Sequence, residues 1–506
     1  EEGAPGPGGD GHLGATRGIE HGQGVAHDIG QGGIAADAGD TAQVEPGVEG
    51  GEQQRAGVVD ASVDVEHDGD RCHAVIVPPR VLPPPRCRTW IAVSLPRTVG
   101  RVILRRLRPP AVALVTAVTM TACTTGAVNP GTSDSAAGSA TAPATTSAAP
   151  TPSPTASCVD TAYAALSPEQ RVGQLVMVAL QAGSPSASLK PTITQSHVGN
   201  MLYLGGWKTG RADITATSRL LQEMATPEAT GGIGLLVAAD QEGGVVQQLR
   251  GDFTTIPSAL TQGGWTADRL RSEAKAWGEE LKAAGVNLDL APVSDTVPAE
   301  LGKGNGPVGR WDRQFGSTPE AVSQGTVAFV QGMADAGVQT SVKHFPGIGR
   351  IQGNTDHTTA GLIDDRMTAD DPYLQPFVDG WQAGAGLVMV SSATYPQLDP
   401  ENPSMFSPAI LDGLLRGKLG FTGVVITDDI NAASVKSVPV ADRATRFLSA
   451  GGDILLTGDT PSAPTLVAAI STTAAGDPGF ATKVEASVKR VLTLKASMGL
   501  VPGCSD

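Results

Sequence analysis

The feature that most constrains the fold is a regular alternation of short apolar runs with amphipathic helical stretches over residues 159–503. Eight runs rich in β-branched residues are predicted to be strands, namely 175–180, 198–204, 233–239, 286–290, 339–343, 387–391, 424–427 and 453–457. Eight such strand and helix units in one segment predict an α/β fold, a single (β/α)8 barrel of the TIM type. A doubly wound open sheet is the alternative, but the glycine-rich segment 302–306 follows no clear strand and is a weak phosphate-loop match.

Residues 1–98 differ chemically from this segment. The first 70 residues hold fifteen Asp or Glu against two Arg, so nearly all of the formal net charge of −15 lies there. With one Leu and no Met, Phe, Tyr or Trp, this stretch cannot bury enough apolar surface to offset the entropy of ordering. We interpret residues 1–98 as an over-extended or disordered leader, with translation starting near Val99 or Val102. A genuine acidic arm is the alternative.

Residues 99–122 have the pattern of a secretory signal peptide. Arginines up to Arg108 precede an apolar run at 111–120, which is too short to span a membrane, and small residues follow. The stretch Met120-Thr121-Ala122-Cys123 resembles a bacterial lipobox, in which the Cys is acylated; a plain signal peptide is the alternative. Residues 123–158 form a tether rich in Ala, Thr, Ser and Pro. We expect an extracytoplasmic protein, lipid-anchored through Cys123 to the outer face of the cell membrane.

Two cysteines, Cys158 and Cys504, flank the predicted barrel. In an oxidising compartment they are candidates for a disulfide that ties the two ends of the domain together. No cysteine pair has the spacing of a metal site. The segment after the signal peptide is acidic and offers no basic face for nucleic acid. We therefore expect no metal ion and no nucleic-acid partner.

Polar residues follow the predicted strands at their carboxyl ends, where barrel enzymes build their active sites. They are Asp240 after the third strand, Asp289 and Asp295 around the end of the fourth, Lys343 and His344 at the fifth, Ser391 and Ser392 at the sixth, and Asp428 and Asp429 at the seventh. Burying charged groups for stability alone is costly, so the pattern predicts an active site at this end of the barrel.

Five ordered motifs at these strand ends make residues 160–500 resemble a family 3 glycoside hydrolase of the single-domain bacterial β-N-acetylglucosaminidase subgroup. The motifs are Asp240-Gln241-Glu242-Gly243-Gly244, Ala291-Pro292-Val293-Ser294-Asp295, Arg313-Gln314-Phe315, Lys343-His344-Phe345-Pro346-Gly347 and Thr427-Asp428-Asp429. The resemblance implies a retaining exo-enzyme that removes non-reducing terminal GlcNAc from muropeptides or chitooligosaccharides, without a metal or organic cofactor. Held outside the membrane, such an enzyme would meet products of peptidoglycan turnover, and we expect it to be a monomer.

Retaining cleavage needs a carboxylate nucleophile and a second group that protonates the leaving oxygen and then activates water. Asp428, after the apolar run 423–426, is the candidate nucleophile, and the resemblance implies the same residue. A helix N-cap is its alternative role, which suits Asp429 better. The resemblance also implies a set of residues that bind the hydroxyls of the terminal sugar: Asp240, Arg313, Lys343 and His344. For Arg313, a surface ion pair is the alternative.

The acid/base residue departs from the subgroup's pattern. The subgroup places an Asp-Ser-His triplet in a mobile loop, with the His thirteen residues after the motif Lys, where this chain has Asn354-Thr355-Asp356 followed by His357. Either Asp356 serves directly, or the loop shifts by one residue so that His357, with Asp356 beside it, transfers the proton. Asp356 is slightly favoured as the aligned residue, and both remain candidates.

Other functions and other roles stay open at this point. A family 3 β-glucosidase or a GlcNAc phosphorylase is an enzymatic alternative, and a non-catalytic sugar-binding lipoprotein would have two lobes and a hinge. Trp207 and Trp311 are candidates for stacking on sugars, with packing as the alternative. His197, just before the second strand, is expected to pack or cap rather than to catalyse.

Overall fold

The computed structural model describes residues 157–504 and the backbone of two further strands, Val63–Asp68 and Arg71–Ile76. These two strands pair as an antiparallel hairpin within the stretch predicted to be a leader. The rest of the predicted leader, the predicted signal peptide, Cys123 and the predicted tether as far as residue 156 lie outside the described residues.

Eight parallel strands form one sheet that curves into a barrel. They are β1 (Val176–Gln181), β2 (Asn200–Leu204), β3 (Leu236–Ala239), β4 (Leu288–Asp289), β5 (Gln339–Phe345), β6 (Leu387–Val390), β7 (Val424–Thr427) and β8 (Leu455–Thr457). Each strand pairs with the next along the chain as far as β7, and β8 pairs with β1. A parallel bridge between Ile426 and Ile454 joins β7 to β8, so the ring is nearly closed. The predicted barrel is confirmed, and the open sheet and the two-lobed alternative are excluded for the described domain.

Helices connect the strands in the order expected of this fold. Their bounds are Cys158–Ala165, Pro168–Gly173, Lys190–Gln195, Arg211–Gln222, Pro227–Thr230, Ala259–Gln262, Ala267–Ala283, Pro319–Asp335, Gln375–Gln382, Ala409–Lys418, Val440–Ser449, Ala463–Gly476 and Pro478–Ser497. The segment Ala409–Lys418, between β6 and β7, is a π-helix. Across the described residues, no helix combines the length and the apolar composition needed to cross a membrane.

Local sequence explains where several of these helices begin. The Ser167 side chain accepts the backbone N–H of Gln170, whose own side chain returns to the Ser167 N–H, and Pro168 takes the first helical position. Thr318 caps Pro319–Asp335 with its side chain in the same way. Thr460 is also followed by a proline, but it begins only a 3-10 turn, and the helix that follows begins at Ala463.

The strands carry near-continuous apolar runs because a parallel barrel is covered on both faces. All residues of β3, β6 and β7 are buried. The runs are short, and polar groups follow at once, so the chemistry of the domain is concentrated at the two ends of the barrel.

Buried polar contacts close the amino-terminal end of the barrel. Lys495, on the last helix, is fully buried and donates to Gln174 Oε1 at 2.6 Å and to the Gly199 carbonyl at 2.8 Å. Burial lowers the pKa of this ammonium to about 7. Beside β7, the buried Asp453 carboxylate accepts from Arg416 Nη2 at 2.7 Å and from Arg490 Nε at 2.8 Å.

The two ends of the described domain are joined covalently. Cys158 and Cys504 form a disulfide with their Cα atoms 5.4 Å apart, which is the pairing predicted from the sequence. It links the first helix, Cys158–Ala165, to the segment after the last helix, Pro478–Ser497.

Candidate active site

A cavity of about 420 Å³ opens at the carboxyl ends of the barrel strands. All seven residues predicted to bind or cleave the substrate line it: Asp240, Arg313, Lys343, His344, Asp356, His357 and Asp428. Apolar side chains complete the wall, among them Leu202, Ile348 and Met389. The volume lies within the range of about 300–1,000 Å³ that is usual for small-molecule sites.

Lys343 and Arg313 meet two carboxylates in one wall of the cavity. Lys343 Nζ lies 2.5 Å from Asp240 Oδ1 and 2.7 Å from Glu242 Oε1. Arg313 donates through Nε and Nη2 to both oxygens of Glu242, at 2.8 and 2.7 Å. Its side chain is 15% exposed and that of Glu242 only 3%, so this pair is buried in the cavity wall and is not the surface ion pair considered above.

Glu242 stays charged in spite of its burial. Burial alone would raise the pKa of this carboxyl, but the charges of Arg313 and Lys343 outweigh burial and lower it to about 2. The pKa values of Lys343 and Arg313 rise above their usual values, because neighbouring carboxylates outweigh burial for both. All three groups are therefore ionised near neutral pH, which leaves Lys343 and Arg313 as fixed donors facing the cavity.

Asp295 orients His344 from behind the wall. Its Oδ2 lies 2.7 Å from His344 Nδ1 and accepts the His344 backbone N–H, and its Oδ1 accepts the Ile348 N–H at 2.7 Å. Burial, together with the charges of Arg313 and Lys343, lowers the pKa of His344 well below its usual value. Burial also raises the pKa of Asp295 to about 8. The lowered pKa of His344 favours the neutral imidazole.

Asp428 and Asp429 follow β7 directly and have different surroundings. The Asp428 N–H donates to the Val390 carbonyl of β6, and its Oδ1 accepts only the neighbouring Asp429 N–H at 2.9 Å. Burial and then the negative charge of Asp356 raise the pKa of Asp428 to about 7. Asp429 Oδ1 accepts the N–H groups of Asn431 and Gly458, but neither carboxylate caps a helix, because the next turn, Ala433–Val435, follows Ala432 and the next helix begins at Val440.

The loop after β5 brings Asp356 and His357 to the cavity. Asn354 shapes this loop, since its Oδ1 accepts the Asp356 N–H at 2.9 Å and its carbonyl accepts the His357 N–H at 3.1 Å. Both side chains line the cavity and are otherwise exposed. Asp356 is the one of the two whose charge acts on the Asp428 carboxyl.

Some polar strand-end residues lie outside the cavity lining. Ser391 Oγ contacts the hydroxyls of Tyr395 and Ser404, and Asp289 Oδ1 accepts the Gln241 N–H, so these groups fix the strand ends. Trp207 is buried edge-to-face against Tyr203, as its packing alternative required. Trp311 is 44% exposed but does not line the cavity. His197 Nδ1 contacts the Ala229 carbonyl at 2.7 Å, as expected for a capping role.

Two further carboxylates contact cavity residues although the sequence predicts no role for them, Glu242 and Asp295. Both are nearly or fully buried, and each neutralises or orients a cavity residue. The sequence did contain an indication of these roles: each carboxylate follows an apolar strand, and a carboxylate buried there needs a cation or a hydrogen-bond donor as its partner. Within the described part of the chain, no group of three or more His, Cys, Asp or Glu side chains is arranged to hold a metal ion.

Comparisons with known proteins agree with this geometry. The model of the family described as "Glycosyl hydrolase family 3 N terminal domain" matches residues 167–494. A protein of Xanthomonas oryzae pv. oryzae named beta-hexosaminidase is 37% identical over 256 residues, which cover 49% of this chain and 74% of that protein.

Two solved structures are similar along the barrel. The beta-N-acetylhexosaminidase of Beutenbergia cavernae is 47% identical with a TM-score of 0.64, covering 65% of this chain and 98% of that one. A family 3 beta-N-acetylglucosaminidase from Paenibacillus sp. is 30% identical with a TM-score of 0.59, covering 67% and 64% of the two chains. The family model, the relatives and the barrel with its polar cavity lead to one assignment: the chain belongs to glycosyl hydrolase family 3.

Proposed function

We propose that the protein is a retaining exo-β-N-acetylglucosaminidase that removes non-reducing terminal GlcNAc from muropeptides or chitooligosaccharides. The observation that carries this proposal is the position of Asp428, at the end of β7, in the same cavity as the fixed donors Lys343 and Arg313. The names of the similar proteins, beta-hexosaminidase and beta-N-acetylhexosaminidase, support the substrate class.

In the first step, Asp428 attacks the anomeric carbon and forms a covalent glycosyl-enzyme while the leaving oxygen takes a proton. Asp428 is suited to this because, among the described residues, its carboxylate accepts a single N–H, from Asp429, and it lines the cavity. Lys343, Asp240, Arg313 and His344 supply donors and acceptors of fixed orientation for the sugar hydroxyls. This preorganisation lowers the cost of holding the ring in place.

The proton comes from the loop after β5. Asp356 remains slightly favoured as the acid/base because it is the aligned residue, and His357 is the other candidate; both line the cavity with Asp428. In the second step the same group removes a proton from water, which then attacks the glycosyl-enzyme from the side that the aglycone has left. Retention follows from the two inversions.

An assay with aryl β-GlcNAc and aryl β-glucoside, with and without phosphate, tests the proposal. We expect release from the GlcNAc substrate, a β-configured first product by NMR, and no dependence on phosphate. Asp428→Asn should lower kcat by roughly a thousandfold or more. The matched control is Asp370→Asn, which removes a carboxylate paired with Lys418 on the surface and should keep full activity. An active Asp428→Asn, or no release from the GlcNAc substrate, would refute the proposal.

Substrates with good and poor leaving groups separate Asp356 from His357. Loss of the acid/base should lower kcat/KM only slightly on an activated aryl substrate and much more on an unactivated one. Azide should restore the turnover of such a variant on the activated substrate, because it attacks the glycosyl-enzyme without a base. We expect this pattern for Asp356→Ala. If His357→Ala shows it instead, the shifted loop register is correct, and if neither variant changes the rate by more than about tenfold the loop assignment fails.

We also propose that the enzyme is extracytoplasmic and anchored through acylated Cys123, where it would act on peptidoglycan turnover products. The basic and apolar segments before Cys123 and the tether after it support this. In a bacterial host, the wild-type protein should incorporate labelled palmitate and remain with the membrane. Cys123→Ala should do neither, and membrane attachment of that variant would contradict the anchor.

A further inference from the structure

We propose that the backbone of Ala433 and Ser434 is a positioning element that holds the loop carrying Asp356 and His357 against the nucleophile segment. The proposal rests on the function proposed above and adds residues for which neither the motifs nor the similar proteins suggest a role. It follows from a set of contacts between two loops, the loop after β5 and the segment 430–438 after β7.

The two loops are joined by backbone hydrogen bonds at the acid/base candidates themselves. The Ala433 N–H donates to the Asp356 carbonyl at 3.3 Å, and the Ser434 N–H donates to the Thr355 carbonyl at 3.1 Å. Thr355 is only 2% exposed, although Asp356 and His357 beside it are exposed. The chain is therefore held at 355–356 while the two adjacent side chains reach the cavity.

The base of the same loop is tied separately. The N–H groups of Gln352 and Gly353 donate to the Gly361 carbonyl, and the Gly306 N–H donates to the Gln352 carbonyl. A Cβ at Gly306 would lie 2.4 Å from that carbonyl oxygen, so the close approach depends on glycine. The bonds to Ala433 and Ser434 are thus a second attachment, on the opposite side of the loop from its base.

The segment that donates these bonds is itself fixed. Arg443, which is 4% exposed, donates to the carbonyls of Ile430, Lys436 and Val438 and to Asn431 Oδ1. Ser434 Oγ also lies 2.6 Å from Ser392 Oγ at the end of β6. Since residues 430–438 continue directly from Asp428 and Asp429, the segment that follows the nucleophile also carries the donors that contact the acid/base loop.

A fixed support matters because a misplacement of about 1 Å at a reacting group can cost about a hundredfold in rate. The proton donor must meet the leaving oxygen while Asp428 meets the anomeric carbon, so their relative position decides the first step. The effect of Asp356 on the pKa of Asp428 agrees with this proximity.

Ala433→Pro tests the proposal because the proline ring replaces the N–H that donates to the Asp356 carbonyl and crowds that oxygen. Ala433 begins a 3-10 turn, and Ala432 before it has φ −53° and ψ 151°, the extended conformation that residues before proline adopt. The variant removes the one hydrogen bond to the Asp356 carbonyl. Ala433→Ser, which keeps the N–H, is the matched control.

We expect Ala433→Pro to lower kcat on an unactivated β-GlcNAc disaccharide by about tenfold or more, with KM within about twofold. On an activated aryl β-GlcNAc, whose first step needs no proton donor, its kcat/KM should stay within about twofold of wild type, as should the kcat/KM of Ala433→Ser on both substrates. Equal losses on both substrates, or no loss on either, would overturn the proposal. Failure of the proposed function would show differently, as a wild-type enzyme inactive on both.

Ser434→Ala is a second test, for the case that circular dichroism shows Ala433→Pro to be unfolded. Ser434→Ala removes the hydroxyl contact to Ser392 and leaves the backbone donors in place. It should show the same selective loss on the unactivated substrate, by about threefold to fivefold, as expected for one modest hydrogen bond. An identical rate on both substrates, or a uniform loss, would again count against the positioning role.

Discussion

Replacing Glu242 by Gln is a sensitive test of the charge arrangement in the cavity wall, because it removes one negative charge and keeps the shape. The carboxylate is 3% exposed and contacts two cations, accepting both Arg313 bonds and lying 2.7 Å from Lys343 Nζ. Those charges lower its pKa from 4.5 to about 2. At about 1.4 kcal/mol per pKa unit, the ionised form contributes about 3 kcal/mol to stability. Breaking a buried pair by removing one partner costs about 3–5 kcal/mol, which agrees.

The measurement is urea unfolding of the wild type and Glu242→Gln at pH 7, with Glu223→Gln as the control. Glu223 pairs with Arg219 on an exposed helix face, so its loss should change the free energy of unfolding by less than about 1 kcal/mol. Because the folded pKa of Glu242 lies below the unfolded value, its contribution is complete above pH 4.5 and is lost as the pH falls through 2. The difference should therefore shrink to about half at pH 3. A difference below about 1 kcal/mol at pH 7, or one that does not shrink in acid, would refute the reasoning.

Three further predictions concern other parts of the domain. Lys495 has a pKa of about 7 in the folded protein and 10.5 in the unfolded chain, so the unfolded chain binds more protons between these two pH values. The free energy of unfolding of the wild type should therefore rise by up to about 1.4 kcal/mol per pH unit from pH 7 to pH 10. Urea unfolding of Lys495→Met should lack this rise, and equal slopes for the two proteins would contradict the prediction. Cys158→Ser should lower the free energy of unfolding by about 2–5 kcal/mol, as should reduction of the wild type, and an unchanged melting temperature would show that the bond to Cys504 is not stabilising. The kcat/KM of the wild type should decrease as the pH is lowered below about 7, because Asp428 must be ionised to attack. On an activated substrate, Asp356→Asn should shift this decrease to lower pH. An unshifted profile would mean that the charge of Asp356 does not affect the pKa of Asp428.

The fold was predictable because the strands of a parallel barrel have a simple sequence pattern. Strands covered on both faces are continuous apolar runs, and the predicted runs at 339–343, 387–391 and 424–427 fall on β5, β6 and β7. The site was predictable for a related reason, since carboxyl ends of parallel strands converge and bring Asp240, Lys343 and Asp428 to one cavity.

Partners distant in sequence could not be predicted in the same way. Glu242 meets Arg313 and Lys343 only because three different strands end at the same face, and no local pattern encodes those contacts. A polar residue at a strand end can either form hydrogen bonds inside the structure or face the cavity, and the sequence does not distinguish these two roles. Ser391 satisfies Tyr395 and Ser404 inside the structure, while Asp428 is left with one local N–H donor and faces the cavity.

The disulfide joins the two ends of the described domain, so the covalent path of the chain is nearly circular, like the barrel itself. With Cα atoms of Cys158 and Cys504 only 5.4 Å apart, a linker of a few residues could replace the bond between them. New ends could then be opened at the exposed turn 475–479, between the last two helices. Because every catalytic candidate lies at the carboxyl ends of the strands, such a circular permutant should keep the cavity intact, and its present last helix, Pro478–Ser497, would be synthesised before the eight strands.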